Sequence, residues 1–138
     1  MGNRDLFIDT SGLFAILCPT DPAHPKAVEI LTRASHEKRG AVISDYIIDE
    51  TATLLMARKT PHLAGDLFSM LERTKALRML FIGSDCFEQA RDLFIKHIDQ
   101  RFSFTDCTSF VLLRETKLRQ VLTTDSHFRE MGFEALLV

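Results

Sequence analysis

Four acidic residues fall where a folded chain could use them for chemistry: Asp9, Glu50, Asp106 and Asp125. Asp9 closes the apolar run Leu6-Phe7-Ile8, Asp125 follows Gln120 to Thr123, Asp106 opens a helix, and Glu50 lies in the helix after Ala41-Val42-Ile43. Taken singly, three of them have ordinary explanations. Asp9 and Asp125 are good N-cap residues, and Asp106 is a first-turn acid that the helix dipole favours, with Ser103 three residues earlier as a cap. Glu50 is harder to dismiss. At about 100° per residue, Ile47, Ile48, Thr51, Leu54 and Leu55 form one apolar stripe. Glu50 flanks that stripe beside Leu54, whereas Asp45 and Asp49 point nearly opposite. Glu50 is therefore expected to face the domain body and Asp49 the solvent. Asp106 precedes Phe110 by one turn in a helix that is apolar nearly all round, and is expected to point inward.

Carboxylates gathered at one end of a sheet repel. Two of them about 4 Å apart cost about 4 kcal/mol at an effective dielectric of about 20. A cluster of three or four must protonate, pair with bases or bind a cation. No Lys or Arg stands within two positions of Glu50, Asp106 or Asp125. An all-oxygen donor set selects Mg²⁺ or Mn²⁺ over zinc, and such ions activate water and offset the charge that develops on a phosphoryl group. The chemistry implied is metal-assisted hydrolysis, in the first place of a phosphodiester.

The elements that must position these acids alternate between strand and helix. Strands are expected at Leu6 to Ile8, Ala41 to Ile43, Leu77 to Ile82, Gln120 to Thr123 and Phe133 to Val138. Helical segments are expected at Leu13 to Leu17, around Ala27 to Ala34, from about Asp45 to Lys59, after Thr60-Pro61 with Thr60 as cap, after Ser84 as cap, from Asp106 to about Lys117, and briefly after Asp125. Continuous apolar strands alternating with helices imply a three-layer α/β/α fold around a parallel sheet. In such sheets the ligand site lies beyond the carboxyl ends of the strands, where the four acids fall.

Composition narrows the class. A chain of 138 residues suits a single domain spanning 1–138. A net charge of −2 does not suit a protein that coats duplex DNA regardless of sequence. Cys18, Cys86 and Cys107 are scattered and odd in number, as expected of reduced thiols in the cytoplasm. No apolar run approaches the roughly 20 residues of a membrane span, and the apolar stretch near the N-terminus is too short for a signal peptide. Met1-Gly2 with Leu6 lacks the hydroxyl residue of a myristoylation signal.

Read together, Phe7-Ile8-Asp9-Thr10-Ser11-Gly12-Leu13-Phe14, Ser44-Asp45-Tyr46-Ile47-Ile48-Asp49-Glu50-Thr51, Phe104-Thr105-Asp106-Cys107-Thr108-Ser109 and Leu122-Thr123-Thr124-Asp125-Ser126-His127-Phe128 resemble the PIN domains, specifically their VapC-like branch. The resemblance covers essentially the whole chain, in order. It implies a five-stranded parallel sheet in the order 3-2-1-4-5, with Asp9, Glu50, Asp106 and Asp125 around one or two Mg²⁺ or Mn²⁺ ions. Asp9, Glu50 and Asp106 would be the main ligands and Asp125 would complete the set. Thr10, Ser11, Thr105 or Thr124 would support ligands or water, although capping explains them equally well. The implied activity is cleavage of single-stranded RNA by a metal-activated water. The resemblance further implies a toxin encoded with a small antitoxin, and a homodimer. Lys38, Arg39, Arg58, Lys59, Arg114 and Lys117 are available for RNA, though a solvated surface role suits most of them.

Other readings have less support. Asp9-Thr10-Ser11-Gly12 also resembles haloacid-dehalogenase-like phosphatases, but their second acid is replaced by Ser11. Phosphate-binding and dinucleotide glycine motifs are absent. His127 is expected on the surface of a short helix, and Cys107 as a small packed side chain rather than a nucleophile. A PIN-like fold acting as an RNA-binding or interaction module, or as a housekeeping nuclease without an antitoxin, remains the alternative.

Overall fold

The computed structural model describes residues 4–138, so the Met1-Gly2 pair considered above lies outside the described residues. The strands are β1 (Leu6–Ile8), β2 (Ala41–Ser44), β3 (Leu77–Leu80), β4 (Gln120–Leu122) and β5 (Glu134–Ala135). They form one sheet in the order β3-β2-β1-β4-β5, every pair parallel. This is the order the family resemblance implied. Successive strand residues point to opposite faces, yet Leu6, Phe7 and Ile8 are all buried, as are Val42 with Ile43 and Val121 with Leu122. Both faces of the sheet are therefore covered at β1, β2 and β4, whereas the edge strand β3 buries none of its residues fully.

Among the described residues seven α-helices do the covering: α1 (Thr10–Leu17), α2 (His24–His36), α3 (Asp45–Ala57), α4 (Pro61–Arg73), α5 (Ser84–Lys96), α6 (Phe104–Thr116) and α7 (His127–Glu130). Helix α6 is the most enclosed, with every residue from Asp106 to Leu113 buried. Helices α1 and α3 carry Leu13, Ile47 and Leu55 into the same core. Helix α1 also comes very close to β4: a Cβ added at Gly12 would stand 1.9 Å from the Leu122 carbonyl oxygen. Only a residue without a side chain permits that approach.

Several boundaries differ from expectation for local reasons. Strand β3 stops at Leu80, and beyond it the Ile82 N–H donates to the Asp45 carboxylate (2.9 Å) where a longer strand would have offered it to the sheet. Strand β5 is only two residues long, although the Leu136 and Leu137 N–H groups still donate to Val121 and Thr123 carbonyls. Ser84 lies inside α5 and Gly83 takes the cap position. Thr60 does precede α4, but its hydroxyl donates back to the Leu55 carbonyl (2.8 Å) rather than capping forward. No helix among the described residues is long and apolar enough to cross a membrane.

Candidate active site

The sheet reverses its winding between β1 and β4, and the chain leaves both strands there into residues that bind each other. Asp9 follows β1 and Thr123 follows β4. The Thr123 hydroxyl donates to Asp9 Oδ2 (2.8 Å) and accepts from the Asp125 N–H (3.0 Å). Ser11 Oγ lies 3.0 Å from Thr123 Oγ1 and donates a longer bond to Asp9 Oδ2 (3.4 Å), while accepting from the Thr124 N–H (2.9 Å). A hydroxyl has one proton and two lone pairs, so this small network ties the two strand ends together with its donors used. Asp9 stands at the N-cap position of α1, yet its side chain makes no capping bond. The ordinary capping explanation thus fails for Asp9.

For Asp106 both explanations hold at once. Ser103 Oγ accepts from the Asp106 N–H (2.9 Å), and Asp106 Oδ2 accepts from the Ser103 N–H (3.0 Å), a reciprocal capping box at the start of α6. The carboxylate is nonetheless buried, 8% exposed, at the same end of the sheet as Asp9. Asp125 lies after β4 with Oδ1 accepting from the His127 N–H (2.9 Å). Glu50 is half-buried on α3 and Asp49 one residue earlier is exposed, as the helix-face argument required.

Electrostatics link the four acids. Burial, then the charge of Asp106, pushes the Asp9 carboxyl from 3.8 up to about 7; Asp125 adds to this and the Thr123 hydrogen bond opposes it. Burial is also the main reason that the Asp106 carboxyl is raised, with the charges of Asp125 and Glu50 contributing against the Ser103 peptide and hydroxyl. Among the described residues, no Lys or Arg forms an ion pair with any of the four. Two buried acids raised by burial and by the charges of their acidic neighbours, with no Lys or Arg paired to them among the described residues, are a donor set suited to a divalent ion.

The structure reassigns several neighbours. Thr124 is exposed and contributes only its peptide N–H; the side chain that holds Asp9 belongs to Thr123, which is fully buried. Ser11 is placed as expected. Thr10 is buried with its hydroxyl unpartnered among the described residues, and Thr105 contributes its carbonyl oxygen to the Thr108 hydroxyl (2.6 Å). His127 corrects the surface expectation. Its Nδ1 is buried and lies 3.2 Å from Asp125 Oδ1 and 3.9 Å from Asp106 Oδ2, and its ring meets Phe102 edge-on. The signal available for it was proximity to Asp125, but nothing in the chain pattern showed that Phe102 would draw the ring inward. Cys107 is fully buried, and burial, then the charge of Asp106, pushes its thiol up to about 11, which suits packing and not nucleophilic attack.

The basic residues separate by position. Lys38, Lys59 and Lys117 adopt left-handed backbone conformations just beyond helices α2, α3 and α6, where a positive charge complements the helix dipole. Arg39 is tied to the Arg4 carbonyl, Glu37 and Gln120, and Arg114 borders a groove beside Glu115. Arg58 lies over the Phe14 ring (4.9 Å) and borders a groove of about 530 Å³ that Ser11 and Thr124 also line. Lys26 borders the same groove.

Comparison with known proteins agrees with this geometry. The sequence profile of the PIN domain matches residues 6–134. The 23S rRNA-specific endonuclease VapC20 of Mycobacterium tuberculosis (strain H37Rv) is 27% identical over 128 residues, which are 93% of this chain and 95% of that protein. A VapC ribonuclease of Archaeoglobus fulgidus is 29% identical over 123 residues, 88% of this chain and 77% of its own length. The crystal structure of Mycobacterium tuberculosis VapC20, described as a Sarcin-Ricin loop cleaving toxin, matches with a TM-score of 0.81 at 26% identity, covering 94% of this chain and 96% of that one.

Proposed function

This chain belongs to the PIN domain family, and from that premise we propose that it is a VapC-like endoribonuclease, using Mg²⁺ or Mn²⁺ held by Asp9, Glu50, Asp106 and Asp125 to hydrolyse single-stranded RNA. The observation that carries the reading is the burial of Asp9 and Asp106 at one end of the sheet, with Asp125 and Glu50 beside them and no Lys or Arg paired to any of the four among the described residues. Bound there, a divalent ion would activate water and offset the charge on the phosphoryl group.

The chain's own residues do the rest. Thr123 and Ser11 hold the Asp9 carboxylate in one orientation through Oδ2. The Ser103 peptide does the same for Asp106, so neither acid has to be ordered when substrate arrives. Substrate RNA would lie in the groove lined by Ser11, Thr124, Lys26 and Arg58, where the two cations, outnumbering the one acid Asp21, can meet phosphates. A single domain acting in the cytoplasm, a homodimer and a small antitoxin partner belong to the same reading, carried by the family resemblance; the toxin description of the structural relative supports the toxin role alone.

The test is cleavage of a labelled pool of single-stranded RNAs, together with a hairpin copying the sarcin–ricin loop, by wild type and Asp106→Asn. Each is run with Mg²⁺, with Mn²⁺ and with EDTA. Metal-dependent cutting by wild type alone is expected. Equal cutting in EDTA, or by both proteins, would overturn the assignment.

A further inference from the structure

The four-carboxylate reading leaves one group unused. His127 Nδ1 is buried and has no hydrogen-bond partner among the described residues. Donor atoms of Asp106, Asp125 and His127 all lie within 4.8 Å of one another, a tighter set than any that includes Asp9 or Glu50 among the described residues. Nδ1 stands 3.2 Å from Asp125 Oδ1 and 3.9 Å from Asp106 Oδ2. An octahedral ion with bonds of about 2.1 Å separates adjacent donors by about 3 Å and opposite donors by about 4 Å. Both measured separations fall within the range of donors that share one ion.

The ring is also held. Phe102, itself buried against Phe110 (5.1 Å between ring centroids), packs edge-on to the imidazole at 5.0 Å. The His127 peptide N–H fixes Asp125 Oδ1 at 2.9 Å, so the two side chains are set relative to each other. A simple imidazolium–Asp125 pair has the distance but lacks the alignment of a hydrogen bond.

We propose that His127 is a nitrogen ligand joining Asp106 and Asp125, which biases this site toward Mn²⁺ over Mg²⁺; the proposal rests on the acidic cluster being a metal site. The chemistry follows from donor type. Mg²⁺ favours oxygen donors and retained water, whereas imidazole is a good ligand for first-row transition ions. An all-oxygen donor set would not separate the two ions, whereas one imidazole nitrogen does.

The experiment uses the purified chain without RNA. Calorimetric titration with Mg²⁺ and with Mn²⁺ is run on wild type, His127→Ala and His127→Gln, the last keeping bulk against Phe102. Pulsed electron paramagnetic resonance on the Mn²⁺-loaded proteins reads nitrogen bound directly to the ion. Mn²⁺ affinity is expected to fall about tenfold or more in both variants, with Mg²⁺ affinity changing by less than about threefold. Wild type is expected to show nitrogen coupling that both variants lose. Equal falls for the two ions, or Mn²⁺ uptake by wild type without nitrogen coupling, would overturn the ligand assignment and leave the carboxylate site standing. Uptake of neither ion by wild type would overturn the metal-site reading itself.

Discussion

Replacing Asp9 by Asn measures what a carboxylate costs at the switch point when no ion is bound. Asp9 is 4% exposed, and burial, then the charge of Asp106, pushes its carboxyl from 3.8 up to about 7. The folded chain therefore holds this proton over a range where the unfolded chain has already released it. Stability of the metal-free protein is full below about pH 4, falls as pH rises towards about 7, and levels off above that. A gap of about 3 pH units at about 1.4 kcal/mol each makes the loss about 4 kcal/mol. Asn keeps an oxygen to accept the Thr123 hydrogen bond and carries no charge. In EDTA, urea denaturation is expected to show wild type and Asp9→Asn within about 1 kcal/mol of each other at about pH 4.5, with the variant more stable by up to about 4 kcal/mol at about pH 8. Saturating Mn²⁺ is expected to stabilise wild type and to do little for the variant. Parallel pH profiles, or a wild type that gains stability between those pH values relative to the variant, would refute the argument.

Glu50→Gln is expected to lower metal-dependent RNA cleavage by about 100-fold or more, whereas exposed Asp49→Asn changes it less than about twofold; equal losses would sink the helix-face assignment. Thr123→Val keeps shape but leaves Asp9 Oδ2 and the Asp125 N–H short of a partner, so a loss of about 1–3 kcal/mol in denaturation and a fall of about 10-fold or more in metal affinity by calorimetry are expected. Gly12→Ala sets a Cβ against the Leu122 carbonyl at 1.9 Å, and thermal unfolding should report a loss of about 2–3 kcal/mol or more, since backbone and not a flexible side chain must give way.

Much of this architecture was legible because the informative signals were local. Alternation of apolar runs with helical periodicity is enough to imply a covered parallel sheet, and the stripe on α3 separates Glu50 from Asp49 without any knowledge of its neighbours. The misreadings have a different cause. Thr123 and Thr124 are the same residue type side by side, and which of them turns inward depends on how β4 ends against Asp9, a contact spanning 114 positions. His127 faces the acids with its ring packed on Phe102, a contact between separate segments that local pattern does not announce. Strand ends suffered in the same way: the Ile82 N–H is taken by Asp45 from another element, and no periodicity in 77–82 announces that. Capping at Thr60 and Ser84 failed because sequence preference names residues suited to a cap without saying which hydrogen bond each will form.

The shared duty of Asp106 bears on how an inactive form of this protein should be made. Its Oδ2 stitches the first turn of α6 to Ser103 while belonging to the acidic site. Truncation to Ala would leave the Ser103 N–H without its acceptor and disable the chemistry together, mixing a weakened helix start into any loss of activity. Asn leaves a carbonyl oxygen where the Ser103 N–H needs one, so Asp106→Asn is the choice for a catalytically silent bait to retain bound RNA or a partner for isolation. At Asp9 and Glu50, whose side chains cap no helix, that particular restriction does not apply. Tool-making on this scaffold thus follows a rule that differs from acid to acid.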